Sequence, residues 1–509
     1  MHSLSLRQRG EGWGEGPTKQ PSRTQTQTPT QPETPKANPK PKTQNPTNPT
    51  NPTARTYQGA HAASGPLLTL PNAHRAALGE WATIQTTPTT PPLRGQIIDA
   101  GRALTVVQVL EDTLGLAPAT ATITLTGELA TVPVGRDLLG RALSGLGEPR
   151  DGHPRPLGEA RRPLWGAPLN PTRRKPPRDF IETGLSAIDG LNTLVRGQKL
   201  PVFSGPGLPA LELAATIVEN ARAPRDEPFA VIFAAIGITE RETRTFLERF
   251  QRSGALERSV LYLNQAQDPT IERLLTPRAA LAQAEYLAFE HGLQVLVVMA
   301  DITHYCEALR EVAAAREEMP GRRGYPGSMY TDLASLFERA GVVEGRAGSV
   351  TQLPILTMPD DDITHPIPDL SGYITEGQVV LSRELHRRGV FPPIDVLPSL
   401  SRLMNAGIGG AHTVAEHRKW ADQLYAIYAR GREARMMVAI VGESGLSPAD
   451  RRALAFTEAF ERELVGQGNE RRSLKQTIDT GWRLLDTLPR EDLLKLSDEL
   501  LAAHRRGKP

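Results

Sequence analysis

Residues 199–217 read KLPVFSGPGLPALELAATI: a short apolar run, a Gly-Pro-Gly turn, and an Ala- and Leu-rich stretch with helical spacing. Strand, glycine turn and helix in this order predict the phosphate-cradling connection of an α/β fold. A working copy reads G-x-x-x-x-G-K-[ST], in which backbone amides hold phosphate, the Lys offsets γ-phosphate charge and the hydroxyl holds Mg²⁺. Counted from Gly205, with Gly207 inside the turn, the last three places hold Ala210, Leu211 and Glu212. An apolar side chain stands for the ammonium and a carboxylate for the magnesium ligand, so the site should repel triphosphate rather than collect it. No intact copy of the motif occurs elsewhere. The motif alone does not separate a disabled phosphate site from a plain α/β connection.

The flanking chain favours a layered α/β domain. Over residues 199–410, apolar runs (PVFSG, FAVIFAAIG, SVLYLNQA, VLVVMAD, SVTQLPILTM) alternate with amphipathic stretches such as LLTPRAALAQAEYLAFEHG and ADITHYCEALREVAAAREE. That alternation predicts a mostly parallel sheet covered by helices. Upstream, over 57–133, short β-rich runs (GQIIDA, ALTVVQVL, ATITLTG) separated by turn residues predict a small barrel or sandwich. A Gly-, Pro- and Arg-rich connector then opens the central domain, 134–410. Beyond 411 the strand signals stop, and helix-period apolar positions predict a C-terminal helical domain over 411–509. Residues 15–54 hold no Val, Ile, Leu, Met, Phe, Trp or Tyr, so 1–56 is expected to be a disordered tail rich in Pro, Thr and Gln.

Composition narrows the function classes. The 509 residues are 39% hydrophobic and 23% charged, as in an ordinary globular protein, and suffice for several domains. A net charge of +2 argues against a dedicated nucleic-acid binder. The one cysteine, Cys306, allows no internal disulfide and reads as a buried structural thiol. No run is long and apolar enough to span a bilayer, and the first residues lack the apolar core of a signal peptide.

Several residues could carry chemistry. Asp301 follows an apolar strand where a magnesium-orienting acid would sit, but an Asp there more often caps the next helix. Ile238 stands where hydrolysis needs a carboxylate to activate water, and Glu240 and Glu242 suit the exposed start of a helix. Arg402, in LPSLSRLMNAGIGG, could reach a neighbouring subunit or form a structural ion pair. Asp360, Asp361 and Asp362 are adjacent in sequence, which makes convergence on one ion difficult, so they read as a stiff acidic contact loop. His365 lacks a His or Cys at ligand spacing, and no metal site is expected.

The stretch SMYTDLASLFERAGVVEGRAGSVTQLPILTMPDDDITHPIPDLSGYITEGQVVLSRELHRRGVFPPIDVLPSLSRLMNAG resembles the B subunit of V-type and archaeal-type rotary ATPases. So do FSGPGLPALELAA, AAIGITERE and VLVVMADITHYCEALREV, and the likeness runs from about Tyr57 to the C-terminus. The resemblance implies a β-barrel, a RecA-like central domain and a helical domain. It also implies a non-catalytic, regulatory subunit alternating with catalytic A subunits in a hexameric ring around a central rotor shaft, with peripheral stalk subunits as further partners. ATP or ADP with Mg would lie at the A/B interface, held mainly by A, and this chain alone would bind neither tightly. Arg402 would reach that nucleotide in trans, the segment from Gly205 and Gly207 to Leu211 and Glu212 would line a weak or empty pocket, and the acidic loop would face the rotor. The complex would lie at the cytoplasmic face and meet the membrane only through its proton- or sodium-translocating sector.

Two rivals share the architecture. An autonomous hexameric ATPase of the secretion type needs the Lys, the hydroxyl and the activating carboxylate that Leu211, Glu212 and Ile238 replace. An RNA-binding ring of the transcription-termination type needs a basic, aromatic barrel, and 57–133 holds few such residues beyond Tyr57 and Trp81.

Overall fold

The computed structural model describes residues 54–506 apart from positions 72, 74, 88, 102 and 411. The expected tail thus lies outside the described residues as far as position 53. Its last two residues differ from expectation. Arg55 and Thr56 belong to a strand, opposite Leu125 and Thr124, because the Arg55 guanidinium pairs with buried Glu80 at 2.7 Å.

Strands β1 (Arg55–Gln58), β2 (Ala62–Ser64), β3 (Leu67–Pro71), β4 (Glu80–Gln85), β5 (Leu93–Ala100), β6 (Leu104–Val109) and β7 (Thr122–Leu129) make one antiparallel sheet, ordered β1-β7-β4-β5-β6-β3-β2. Period-two burial sets its faces: Glu80, Ala82 and Ile84 of β4 are buried and their neighbours are not. Register shifts between Glu80 and Ala82 and between Ile97 and Asp99 bend it. Among the described residues no pairing joins β1 to β2, so the barrel expected here is an open half-barrel. The three residues of β2 are all exposed and offer no apolar face to seal the gap.

β8 (Thr131–Val134) and β10 (Ala160–Pro163) form a ribbon, while β9 (Ala142–Leu143), inside the expected connector, runs parallel to an edge of the large central sheet. That sheet also contains β11 (Arg174–Lys175), β12 (Val202–Ser204), β13 (Phe229–Ile238), β14 (Ser259–Gln265), β15 (Gln294–Ala300), β16 (Gly341–Val343), β17 (Ser349–Thr357), β18 (Gly377–Leu381) and β19 (Ile394–Ser401). Parallel pairs join β12 to β17 and β18, β13 to β14 and β15, and β15 to β17. Antiparallel pairs join β18 to β19, β16 to β17 and β11 to β16. β14 and β15 are buried at every position, as strands covered on both faces must be. Along β15, Leu296, Val298 and Ala300 enter one core, and Val295, Val297 and Met299 the other.

The covering helices are α1 (Ser186–Asp189), α2 (Ala210–Asn220), α3 (Glu240–Ser253), α4 (Thr270–Phe289), α5 (Ile302–Ala315), α6 (Met329–Phe337), α7 (Pro366–Ile374) and α8 (Arg383–Arg387). Leu213 of α2 and Phe246 of α3 enter the first core, and Leu281 of α4, Cys306 of α5 and Leu336 of α6 the second. Beyond Ser401 the described chain is helical: α9 (Met404–Gly407), α10 (His417–Val441), α11 (Pro448–Phe460), α12 (Leu474–Leu485) and α13 (Asp498–Arg506). Their Trp420, Leu424, Phe460 and Trp482 extend the first core. Where α10 crosses α11, a Cβ on Gly431 would come within 2.2 Å of the Ala453 carbonyl oxygen. No described helix is long and apolar enough to cross a membrane.

Candidate functional site

β12 ends at buried Ser204, the chain turns through residues 205–209, and α2 begins at Ala210. The turn closes on itself, Leu208 N donating to Gly205 O at 3.1 Å and Ala210 N to Leu208 O at 2.8 Å. Gly207 has φ +77°, a conformation that side chains other than Gly adopt at a cost. Leu211 is half-buried and packs on the core, so the lysine position has become part of the hydrophobic interior. Glu212 is exposed in the first turn of α2, where the helix dipole favours a carboxylate. It accepts a hydrogen bond from Asn469 Nδ2 at 3.2 Å, and Thr216 donates to the same Asn469 at 3.0 Å, so the helical domain holds the start of α2.

A second carboxylate lies against the turn. Arg383 clasps Asp361 through Nε and Nη2, both at 2.9 Å, and its Nη2 also donates to Pro206 O at 2.9 Å. Asp361 Oδ1 sits so close to Gly205 that a Cβ there would stand 1.9 Å from it. The fork holds the Asp361 carboxyl below its usual range and raises the Arg383 guanidinium. Asp362 pairs with Arg323 at 2.8 Å, and Arg322 pairs with Asp369 at 2.9 Å, so cations line the acidic loop. Arg383 carried no signal in the sequence. It lies 22 residues from Asp361, and each alone reads as an ordinary surface residue.

These residues do not fit a triphosphate with its magnesium. No ammonium stands at 211, and two carboxylates, Glu212 and Asp361, stand where phosphate charge would accumulate. Asp301 caps α5, accepting from Thr303 N at 2.7 Å, and also receives the amide and hydroxyl of Thr357. Ile238 is buried at the end of β13. Thr239 and Glu242 close a capping box on α3. His365 caps α7 through Nδ1, and among the described residues no group of His, Cys, Asp or Glu could hold a metal ion.

Arg402 follows β19, whose Ser401 lies opposite Gly377, and its amide donates to Glu376 O at 3.0 Å. The backbone is therefore fixed while the side chain is exposed. Its guanidinium makes one long bond, to Thr375 O at 3.4 Å, and no ion pair among the described residues. The nearby Glu376 carboxylate is taken by Lys199, whose Nζ lies 2.9 Å away.

Residues 184–401 match the ATP synthase alpha/beta family, nucleotide-binding domain, and residues 406–505 the C-terminal domain of V and A type ATP synthase. Gly205 to Glu212 fall inside the first match, and Arg402 falls between the two. The V-type ATP synthase beta chain of Anaeromyxobacter sp. (strain Fw109-5) is 62% identical over 452 residues, covering 89% of this chain and 98% of that one. The V-type ATP synthase beta chain of Thermus thermophilus is 55% identical over 454 residues, covering 87% and 95%. Among solved structures, the ATP synthase subunit NeqB from Nanoarcheaum equitans superposes with a TM-score of 0.67 at 39% identity, over 83% of this chain and all of that one. The chain belongs to the V-type ATP synthase beta chain family.

Proposed function

We propose that this chain is the non-catalytic, regulatory B subunit of a V/A-type rotary ATPase or ATP synthase. It alternates with catalytic A subunits in a three-plus-three ring around a rotor shaft. Its domains divide at about 133/134 and 410/411. The observation that carries the reading is a contrast within one chain. At the phosphate turn Leu211 and Glu212 stand in the places of the ammonium and the hydroxyl and Asp361, clasped by Arg383, lies against Gly205, whereas Arg402 presents an exposed guanidinium with no carboxylate partner among the described residues. A chain with an unpaired exposed arginine and a weak or empty nucleotide pocket of its own suits work on a neighbour's nucleotide. In the A-subunit site, where ATP or ADP and Mg are held, Arg402 stabilises negative charge on the transferring phosphoryl group. Closure of the interface around ATP, ADP or nothing sets the rotor's angle, and torque from the membrane-bound ion-translocating sector drives the reverse reaction. The ring works at the cytoplasmic face of that membrane.

The test is turnover by the reconstituted complex. Arg402→Ala leaves assembly intact and lowers ATP hydrolysis roughly a thousandfold, as for other arginine fingers. Normal turnover by the variant complex removes the proposed role. Nucleotide titration of the chain alone should show no tight magnesium-dependent binding, while the A-containing complex binds.

A further inference from the structure

We propose that Lys199 is a positioning residue for Arg402: by occupying the Glu376 carboxylate it keeps the arginine unpaired and free to reach a neighbouring subunit, a role that rests on the reading of Arg402 as acting in trans.

Arg402 lies beside a carboxylate well placed to disarm it. β18 and β19 run antiparallel with Gly377 opposite Ser401, so the next pair outward is Glu376 and Arg402. A Cβ on Gly377 would stand 2.0 Å from Leu400 O, so the two strands approach this closely only because that position has no side chain. The Glu376 carbonyl accepts from Arg402 N and from Gln198 Nε2, both at 3.0 Å, which fixes the backbone on both sides. The guanidinium rests 3.4 Å from Thr375 O, on the peptide that leads into Glu376. Opposite charges facing each other across two strands attract, and this pair would be expected to close.

It does not close, because Lys199 has taken the carboxylate. Lys199 Nζ lies 2.9 Å from Glu376 Oε1, and the Lys199 amide donates to Oε2 at 2.8 Å. The same Nζ lies 2.8 Å from Glu338 Oε1, while Arg174 holds Glu338 Oε2 at 2.7 Å. Backbone contacts fix Lys199 in turn: it bridges to Gln352, and its carbonyl accepts from Glu376 N at 3.0 Å. Its side chain is 4% exposed, whereas both carboxylates are partly exposed, so the ammonium sits inside and the acids turn in toward it. Two cations and two carboxylates make the cluster neutral, with no charge left over for Arg402. With either cation gone, Glu338 and Glu376 would repel each other, and the excess charge would draw Arg402 across to Glu376.

Labelling with phenylglyoxal, an arginine-selective dicarbonyl, tests this on the full-length chain without A subunit or nucleotide. The rate at Arg402, read by peptide mass spectrometry against exposed Arg241 in the same sample, should fall roughly two- to fivefold in Lys199→Gln, the range of a partly exposed ion pair. Adding Glu376→Gln returns the cluster to neutrality and should restore the parent's rate. A cluster that only stabilised the fold would behave in reverse, since the double variant has lost both partners. Turnover by the reconstituted complex should follow the same order, lowered several-fold by Lys199→Gln and recovered in the double variant. If Lys199→Gln does not fold, Arg174→Gln, which also leaves one carboxylate in excess, decides with the same rescue. Unchanged labelling at Arg402, or slowed labelling that Glu376→Gln does not relieve, would overturn the role of Lys199 and leave the Arg402→Ala test standing. Labelling that changes as expected while turnover stays normal would mean that Arg402 does not act in trans, and would remove both roles.

Discussion

At Asp189 three donors converge on a fully buried carboxyl group: Thr183 N and Gly184 N at 2.8 Å, and Thr183 Oγ1 at 2.7 Å. Burial outweighs them and pushes its pKa up to about 7. The unfolded chain releases this proton near pH 4, so between about pH 4 and 7 the folded state binds more protons. Stability from this group is complete below that window and is lost as pH rises through it, by at most about 1.4 kcal/mol per pH unit. Denaturant unfolding at pH 5 and pH 7.5 should show a smaller fall for Asp189→Asn than for the parent chain, and equal falls would assign the proton elsewhere. Nothing in SAIDG marks this Asp as buried, because a sequence shows which side chains are polar and not which loops fold over them. At Arg402 the residues of LPSLSR left a reach toward a neighbouring subunit and a structural ion pair both open; its side chain is exposed and forms no ion pair among the described residues.

Long apolar strands were the most readable elements. FAVIFAAIG, SVLYLNQ and VLVVMA lie in β13, β14 and β15, since a strand buried on both faces leaves an uninterrupted apolar run. Short edge strands such as β9 and β11 have two residues each and were missed, because their pairing is set by partners far along the chain. Helix interiors hold a similar limit. Gly431 stands in the middle of α10, and local propensity would count it a flaw that Ala repairs. Its Cβ position lies 1.9 Å from Thr457 Oγ1 and 2.2 Å from the Ala453 carbonyl of α11, so Ala would force the two helices apart. Gly431→Ala should therefore destabilise by about 1–3 kcal/mol, the cost of overpacking, rather than stabilise. A raised thermal midpoint would show that α10 and α11 yield without cost.

Across the whole molecule, the α/β and helical regions share one apolar core, and buried charge joins them as well. Glu461, 1% exposed after α11, binds Arg435 of α10 at 2.9 Å and Arg388 beside α8 at 2.5 Å. Burial raises its pKa, but the two guanidinium groups prevail and hold it below the usual carboxylate value. Its contribution is present above about pH 4.5 and fades as pH falls through the lowered folded value. Glu461→Gln leaves two partly exposed arginines short of one counter-charge and should cost about 1.5–3 kcal/mol, read from denaturant unfolding. An unchanged midpoint would mean that other acids, such as Glu384 at 3.6 Å from Arg435, take over the charge. The clasp of Arg383 on Asp361 carries a lesson for anyone building a phosphate site into this turn. Restoring Gly at 210, Lys at 211 and Thr at 212 repairs the motif as written, yet leaves a carboxylate lodged on Gly205. The turn departs from a phosphate cradle twice, once in the helix and again in a loop some 150 residues away, so building one there requires evicting an occupant as well as replacing parts.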